Sequence, residues 1–254
     1  MKRFVVDSLK KVLYGRKGEP YDYYGHITRF KIGTRPARMK YIHSDAWDVR
    51  NDILQLQYLK ENFSENGVLW DIGACNGEYG ILAATLLKDK KNKIFCFEPD
   101  RSALGDLRDN LALNDLENAI TVFPVAISDR TGRADFLDLK GNANSHFILD
   151  GQQRQDTVTV DCITMEDLLK KLPVPTLVKI DVEGAELKIL NGDNVLMNRS
   201  EVTFLVELHP WAYPEYKAEY ELLVRKIAAC NRKIKVLDEK KTVADLPCYG
   251  SIIF

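Results

Sequence analysis

An α/β fold, built on a parallel sheet with helices on both faces, is the fold class this sequence predicts. From Trp47 onward, short apolar runs alternate with helix-period segments. A glycine turn follows the first of those runs directly. The length of 254 residues fits one large domain or one domain with a small appendage. Such a chain buries roughly three quarters of its unfolded surface and needs no staples.

The elements follow in order. Phe4, Val5, Leu9, Val12 and Leu13 recur at helical spacing among Lys2, Arg3, Lys10, Lys11, Arg16 and Lys17. This basic amphipathic helix docks on the protein's own body or a partner subunit, the alternative being an anionic membrane surface. Residues 15–46, rich in Tyr, Gly and Arg, read as an irregular or β-containing appendage, so the division is 1–46 and 47–254. The main domain opens with a helix over 49–63 and a strand over 68–73. A helix over 78–88, a strand over 93–98, a helix over 101–113 and a strand over 120–126 follow. Then the alternation breaks. Residues 132–139 and 156–163 read as paired strands around a polar segment long enough to be a lid or binding loop. The pattern resumes with a helix near 164–171, a strand over 176–181, a helix over 183–191 and a strand over 202–208. A helix over 214–229 and strands over 233–238 and 249–254 complete the chain.

Composition excludes several classes. A hydrophobic share of 45% and a charged share of 29% are those of a globular chain. Basic and acidic residues number 36 and 37, so the net charge of −1 shows no cationic footprint for nucleic acid. Cys75, Cys96, Cys162, Cys230 and Cys248 lack CxxC spacing and are odd in number, which suits reduced thiols in a cytoplasmic protein. No apolar run approaches the roughly 20 residues needed to span a bilayer.

The residues that carry chemistry begin at Asp71-Ile72-Gly73-Ala74-Cys75-Asn76-Gly77, which ends a strand and opens a helix. Ligands of open α/β sheets bind at this carboxyl edge. A dinucleotide fingerprint needs its second glycine where Cys75 stands, so nicotinamide binding is disfavoured, and there is no GxxxxGK[ST] loop. A packing role is expected for Cys75. Glu98 closes the second strand, where a carboxylate accepts two hydrogen bonds from a ribose diol. Together the turn and Glu98 point to a nucleoside cofactor without pyrophosphate, S-adenosylmethionine.

The motifs DIGACNGEYG, FEPD, PVAISDRTG, VKIDVEGAE and VELHP stand in the order of one known family. Over residues 47–254 the chain resembles the FkbM-type S-adenosylmethionine-dependent methyltransferases. The resemblance implies a Rossmann-like class I methyltransferase with a mostly parallel seven-stranded sheet, the last strand antiparallel. It also implies O-methylation of a hydroxyl on a sugar, a glycan or a secondary metabolite. Carried onto this sequence, Asp71, Gly73, Ala74, Asn76 and Gly77 would hold the amino-acid end of the cofactor, with Tyr79 packing on it. Glu98 would take the ribose, Pro99 and Asp100 would lie beside the adenosine, and Val125 and Ala126 would meet the adenine.

An alcohol is a poor nucleophile at neutral pH, so a base or a metal should activate it. Asp181, Glu183, Glu186, Glu207 and His209 cluster at the ends of the fourth and fifth strands of the pattern. His209, Asp181, Glu183 and Glu207 are the expected catalytic groups. Each also has a structural reading. Glu186 can compensate a helix dipole, Asp181 can cap the helix, His209 can be a satisfied loop histidine, and Lys179 can pair with a carboxylate. Asp181, Glu183, Glu207 and His209 would also suit Mg2+ or Mn2+. A metal-free base is preferred, and no metal is assigned. His146 is a further candidate from the polar segment. Trp211, Tyr213 and Tyr216, with Tyr21, Tyr23, Tyr24 and Tyr41, offer aromatic faces for a sugar ring or ordinary packing.

Three other functions compete. A short-chain dehydrogenase lacks the second glycine and a Tyr-xxx-Lys pair. A non-catalytic binding module would have no use for the acids at both strand ends. RNA methylation would draw on Arg29, Lys31, Arg35, Arg38 and Lys40, a cluster that a solvated loop also explains. The sequence leaves the oligomeric state open.

Overall fold

The computed structural model describes residues 19–23, 26–30, 47–91, 93–137, 146–147, 157–212, 214–238 and 240–254. The expected N-terminal helix lies outside them. Strands β1 (Glu19–Tyr23) and β2 (His26–Phe30) form an antiparallel hairpin. Helix α1 (Trp47–Asn62) leads into β3 (Leu69–Ile72), α2 (Glu78–Leu86), β4 (Ile94–Phe97), α3 (Arg101–Ala112) and β5 (Ile120–Phe123). The later main-sheet strands are β10 (Leu177–Ile180), β11 (Thr203–Leu208), β12 (Lys235–Val236) and β13 (Gly250–Ile253). Helix α4 (Met165–Leu169) precedes β10, and helices α5 (Glu186–Gly192) and α6 (Tyr216–Ala229) connect the later strands.

The main sheet has seven strands in the order β12-β13-β11-β10-β3-β4-β5. β11, β10, β3, β4 and β5 are parallel, and β13 runs antiparallel to both neighbours. The expected architecture, including the antiparallel last strand, is therefore present. All four residues of β3, β4 and β10 are buried, the mark of strands covered on both faces.

Because side chains alternate across a strand, the two faces carry different cores. Trp70, Ile72, Val178, Ile180, Phe204 and Val206 face α5 and α6 through Leu187, Leu190, Leu223 and Ile227. Leu69, Leu177, Leu205 and Ile253 face α1, α2 and α3 through Leu56, Leu59, Ile81 and Leu107. On this second face, two residues nearer the carboxyl ends, stand Asp71, Lys179 and Glu207. Ser251 pairs with Glu207 on antiparallel β13. All four are buried. One layer is thus oily at its base and polar at its top, and the polar top faces the ligand edge.

Three element boundaries differ from expectation. The strand expected over 120–126 divides at Pro124, which has no N–H to give a ladder. After β5 the chain leaves the main sheet, and β6 (Ala126–Ile127) joins a small one of order β6-β9-β7-β8. There β7 (Gly132–Leu137) and β9 (Thr157–Ile163) pair antiparallel as predicted, and β8 (His146–Phe147) pairs with β7. The side chain of His146 lies outside the described residues. Helix α5 starts at Glu186, not 183, because Glu183 and Gly184 take φ values of 56° and 120°. A Cβ on Gly184 would lie 2.3 Å from the Ala212 side chain, so the turn is built around a close approach. The strand expected over 233–238 contracts to Lys235–Val236.

The hairpin is docked on the main body. Phe30 is fully buried in the α1–α3 core layer. Asn114 accepts from the Arg29 amide at 2.7 Å and donates to the Arg29 carbonyl at 2.6 Å. Lys31, Arg35, Arg38 and Lys40 lie outside the described residues. No helix among the described residues is long and apolar enough to cross a membrane.

Candidate active site

The loop between β3 and α2 is shaped by left-handed backbone at Gly73, Cys75 and Gly77 (φ 77°, 49° and 85°). Gly73 is required for a reason the sequence did not show. Its missing Cβ leaves room for the Asp181 carbonyl, which would otherwise sit 1.8 Å away. The Gly73 and Ala74 amides donate to the Phe97 carbonyl at 3.0 and 3.1 Å. Asn76 accepts from the Glu78 amide at 3.2 Å, and Asn110 donates to the Asn76 carbonyl at 2.9 Å. Asp71 lies under this loop, fully buried, with Lys179 Nζ at 3.7 Å. Burial pushes the Asp71 carboxyl upward, with Lys179 opposing. Lys179 donates to the Gly73 carbonyl at 3.1 Å and stands 4.5 Å above the buried Tyr79 ring. Lys179 pairs with carboxylates, as one sequence reading held.

Glu98 stands at the end of β4. Its Oε2 accepts from the Cys75 amide and its Oε1 from the Asp100 amide, both at 2.8 Å. These bonds fix the carboxylate and leave each oxygen one lone pair, enough for the two hydroxyls of a ribose. Burial pushes its carboxyl up to about 7, against the two amides. Asp100 caps α3 through Oδ1 on the Ser102 and Ala103 amides, and Pro99 is half-buried between the two acids. Val125 packs against the core beside Ala126, which is buried in β6.

The second group gathers at the ends of β10 and β11. His209 is 2% exposed. Its Nδ1 lies 2.6 Å from Glu186 Oε1, which also accepts from the Gly184 amide at 2.9 Å. An oxygen so used is an acceptor, so Nδ1 of the imidazole carries a proton. Nε2 faces Glu183 Oε2, Asp181 Oδ1 and Glu207 Oε1 at 3.6, 3.8 and 3.9 Å. Burial works against a charged ring, but Glu186, Asp181 and Glu183 outweigh it and hold His209 up at about 10. Burial likewise pushes Glu183 up to about 7, against the pull of His209. The four sequence-predicted catalytic residues therefore converge on one space.

One structural reading falls away. Asp181 caps nothing on α5, whose N-cap is Ala185. Glu186 stands in the first turn of α5, where the dipole reading put it, and also anchors His209 from a fully buried position.

A model of the FkbM methyltransferase domain matches residues 71–234, from the start of the cofactor-edge loop through α6. The chain belongs to the FkbM methyltransferase family. It is 30% identical over 182 residues to the hexuronic acid methyltransferase AglP of Haloferax volcanii, covering 67% of this chain and 69% of AglP. It is 28% identical over 154 residues to the 2-O-methyltransferase NoeI of Sinorhizobium fredii, covering 54% of this chain and 61% of NoeI. A crystal structure of methyltransferase FkbM from Methylobacillus flagellatus aligns with a TM-score of 0.49 at 18% identity. That alignment covers 83% of this chain and 55% of the other.

In this FkbM-family chain the aromatic residues divide. Tyr216 is no acceptor wall: it is buried, and its hydroxyl accepts from the His209 amide at 3.0 Å. Trp211 is 64% exposed and sets its edge against His209, with ring centroids 5.4 Å apart. Tyr213, Tyr24 and Tyr41, and the side chains of Tyr21 and Tyr23, lie outside the described residues. Sequence reasoning missed Tyr249 and Gln55. Tyr249 lies 5.1 Å from the Trp211 ring and donates to Glu207, which with burial raises its pKa. Gln55 Nε2 donates to Glu207 Oε2 from α1. No motif marks either. The only signal was a glutamine on the buried face of a helix.

Proposed function

We propose that this FkbM-family methyltransferase uses S-adenosylmethionine to methylate a hydroxyl of a sugar or glycan-type acceptor. The observation that supports it most directly is the pairing of two prepared sites at one sheet edge. Glu98 is fixed with two lone pairs outward beside the Gly73–Gly77 loop, and the His209–carboxylate group stands two to three strands away, at the ends of β10 and β11. S-adenosylmethionine supplies an electrophilic methyl on a sulfonium leaving group. Glu98 would accept from both ribose hydroxyls, and the loop would hold the amino-acid end through Gly73, Ala74, Asn76 and Gly77. Asp71 acts from beneath by fixing Lys179 and the loop. Tyr79, Pro99, Asp100, Val125 and Ala126 would border the nucleoside.

The residues of the second group would orient the acceptor oxygen for in-line attack. Glu183, at 23% side-chain exposure, is more open than Asp181, Glu207 or Glu186 and would meet the hydroxyl first. It takes the proton as the O–CH3 bond forms. His209 and Asp181 hold Glu183 and the acceptor in register. Trp211 and Tyr249 offer an aromatic face beside this group, which suits a sugar ring. The name of AglP supports a sugar acceptor, and that of NoeI supports methylation at an oxygen. The catalytic domain would be residues 47–254, with the β1–β2 hairpin docked on it. Five free thiols suit a reducing, cytoplasmic setting.

Calorimetric titration with S-adenosylhomocysteine tests the cofactor. Labelled methyl transfer to glycans carrying uronic acids or free 2-hydroxyls tests the acceptor. We expect cofactor binding that Glu98→Ala abolishes, and label on a sugar oxygen. Folded protein that binds no S-adenosylhomocysteine would refute the reading.

A further inference from the structure

Asp181, Glu207 and His209 each turn one ligand atom into the same space and tie the other elsewhere. Asp181 Oδ2 lies 3.3 Å from Lys179 Nζ, while Oδ1 faces His209. Glu207 Oε2 accepts from Gln55, while Oε1 faces His209. His209 gives Nδ1 to Glu186 at 2.6 Å and aims Nε2 inward, where a bound cation would take the place of the Nε2 proton. One ligand atom from each of Asp181, Glu207 and His209 lies within 4.8 Å of the other two. Ligands held about 2.1 Å from a cation stand roughly 3 to 4.3 Å apart, and both Nε2 distances, 3.8 and 3.9 Å, fall in that range.

A second observation concerns the imidazole. The His209 side chain is 3% exposed, yet its Nε2 is beyond hydrogen-bond distance of every carboxylate facing it. A buried imidazole whose other nitrogen is fixed by a buried carboxylate is the usual second shell of a metal-ligating histidine.

We propose that Asp181 Oδ1, Glu207 Oε1 and His209 Nε2 form a divalent-cation site, of the Mn2+ type, at the acceptor end of the crevice. One imidazole with two carboxylates is harder than a zinc set, and softer than the all-oxygen set that Mg2+ prefers. The site's existence follows from these residues alone; its role rests on the methyltransferase reading. There the cation would receive the acceptor oxygen and lower its pKa, leaving the proton to Glu183. Glu186, Gln55 and Lys179 are positioning residues for this site.

The test uses the full chain stripped of metal and titrated with Mn2+, following the free-ion signal by electron paramagnetic resonance. We expect one Mn2+ bound per chain, with 14N coupling from an imidazole in the pulsed spectrum. Asp181→Asn and His209→Gln should each weaken binding at least tenfold, and Glu186→Gln about tenfold. Glu201→Gln, paired on the surface with Arg199, should change nothing. The proposal is overturned by no saturable binding, by bound Mn2+ without 14N coupling, or by variants that bind as the parent does. If the variants fail to fold, the parent's stoichiometry and coupling still decide. S-adenosylhomocysteine calorimetry on the same stripped protein separates the two readings. Nucleoside binding without Mn2+ binding would sink the cation site alone. Mn2+ binding without nucleoside binding would sink the methyltransferase reading alone.

Discussion

Replacing Glu98 by glutamine should make the protein more stable at alkaline pH and worse at binding its cofactor. Glu98 is 6% exposed, and its carboxyl sits at about 7 where 4.5 is ordinary. At about 1.4 kcal/mol per pH unit, that interval is worth roughly 3 kcal/mol. A carboxyl raised in the folded state contributes stability fully present below its unfolded value. That contribution is lost as pH rises through the folded value. The parent should therefore lose about 3 kcal/mol from this residue between pH 4.5 and pH 8, and Glu98→Gln should not. Glutamine offers one carbonyl oxygen to the Cys75 and Asp100 amides, which now use two carboxylate oxygens. The unmet amide costs about 1–3 kcal/mol at every pH, so it displaces the variant's curve without tilting it. Denaturant unfolding from pH 4.5 to 8 reads the tilt. At pH 8, S-adenosylhomocysteine should bind ten- to a hundredfold more weakly, since charge-assisted bonds worth about 1.5–3 kcal/mol each are replaced. A parent–variant gap that is constant with pH would refute the burial argument. Unchanged nucleoside affinity would refute the ribose role.

Two glycines should respond oppositely to alanine. Gly73→Ala drives a Cβ into the Asp181 backbone at φ 77° and should cost about 3 kcal/mol or more in denaturant midpoint. Gly105→Ala, with nothing within 4 Å on α3, should add about 0.5–1 kcal/mol. Tyr216→Phe strips the acceptor from the buried His209 amide. A loss of about 1–3 kcal/mol is expected with S-adenosylhomocysteine affinity intact, which calorimetry on the folded variant checks. Trp211→Ala, at an exposed ring, should shift stability by under about 0.5 kcal/mol but raise the KM for a glycan acceptor, with kcat kept; an unchanged KM would remove Trp211 from the acceptor wall.

The parallel sheet was legible because its strands are apolar on both faces and their spacing is regular. The loop edge was legible because Gly73 and Glu98 directly follow strands and Gly77 opens a helix. Local chemistry was harder to read. Pro124 ends a strand in the middle of a run that reads as continuous, since apolar pattern alone carries no record of a missing N–H. The contact between Glu186 and His209 could not be read, because sequence separates them by 23 positions and only the left-handed turn at Glu183–Gly184 folds one onto the other. Gln55 lies 152 positions from Glu207, so no spacing rule could join them.

The position of the site follows from how one sheet face changes character. Leu69, Leu177 and Leu205 are followed two residues on by Asp71, Lys179 and Glu207, and two further on by Gly73, Asp181 and His209. Period-2 alternation keeps each series on one face, so the apolar base and the charged top belong to the same layer. Buried charge is costly unless paired, and here the pairing crosses strands: Lys179 lies near Asp71 and Asp181, and Glu186 holds His209. The loops cannot drift without breaking these pairs. Gln55 extends the arrangement to α1, which is why the helix preceding the FkbM-matched region takes part in the site. A substitution confined to α1, such as Gln55→Leu, would keep the helix's buried face while releasing Glu207. Its effect would therefore fall on acceptor chemistry rather than on nucleoside binding at the Glu98 end.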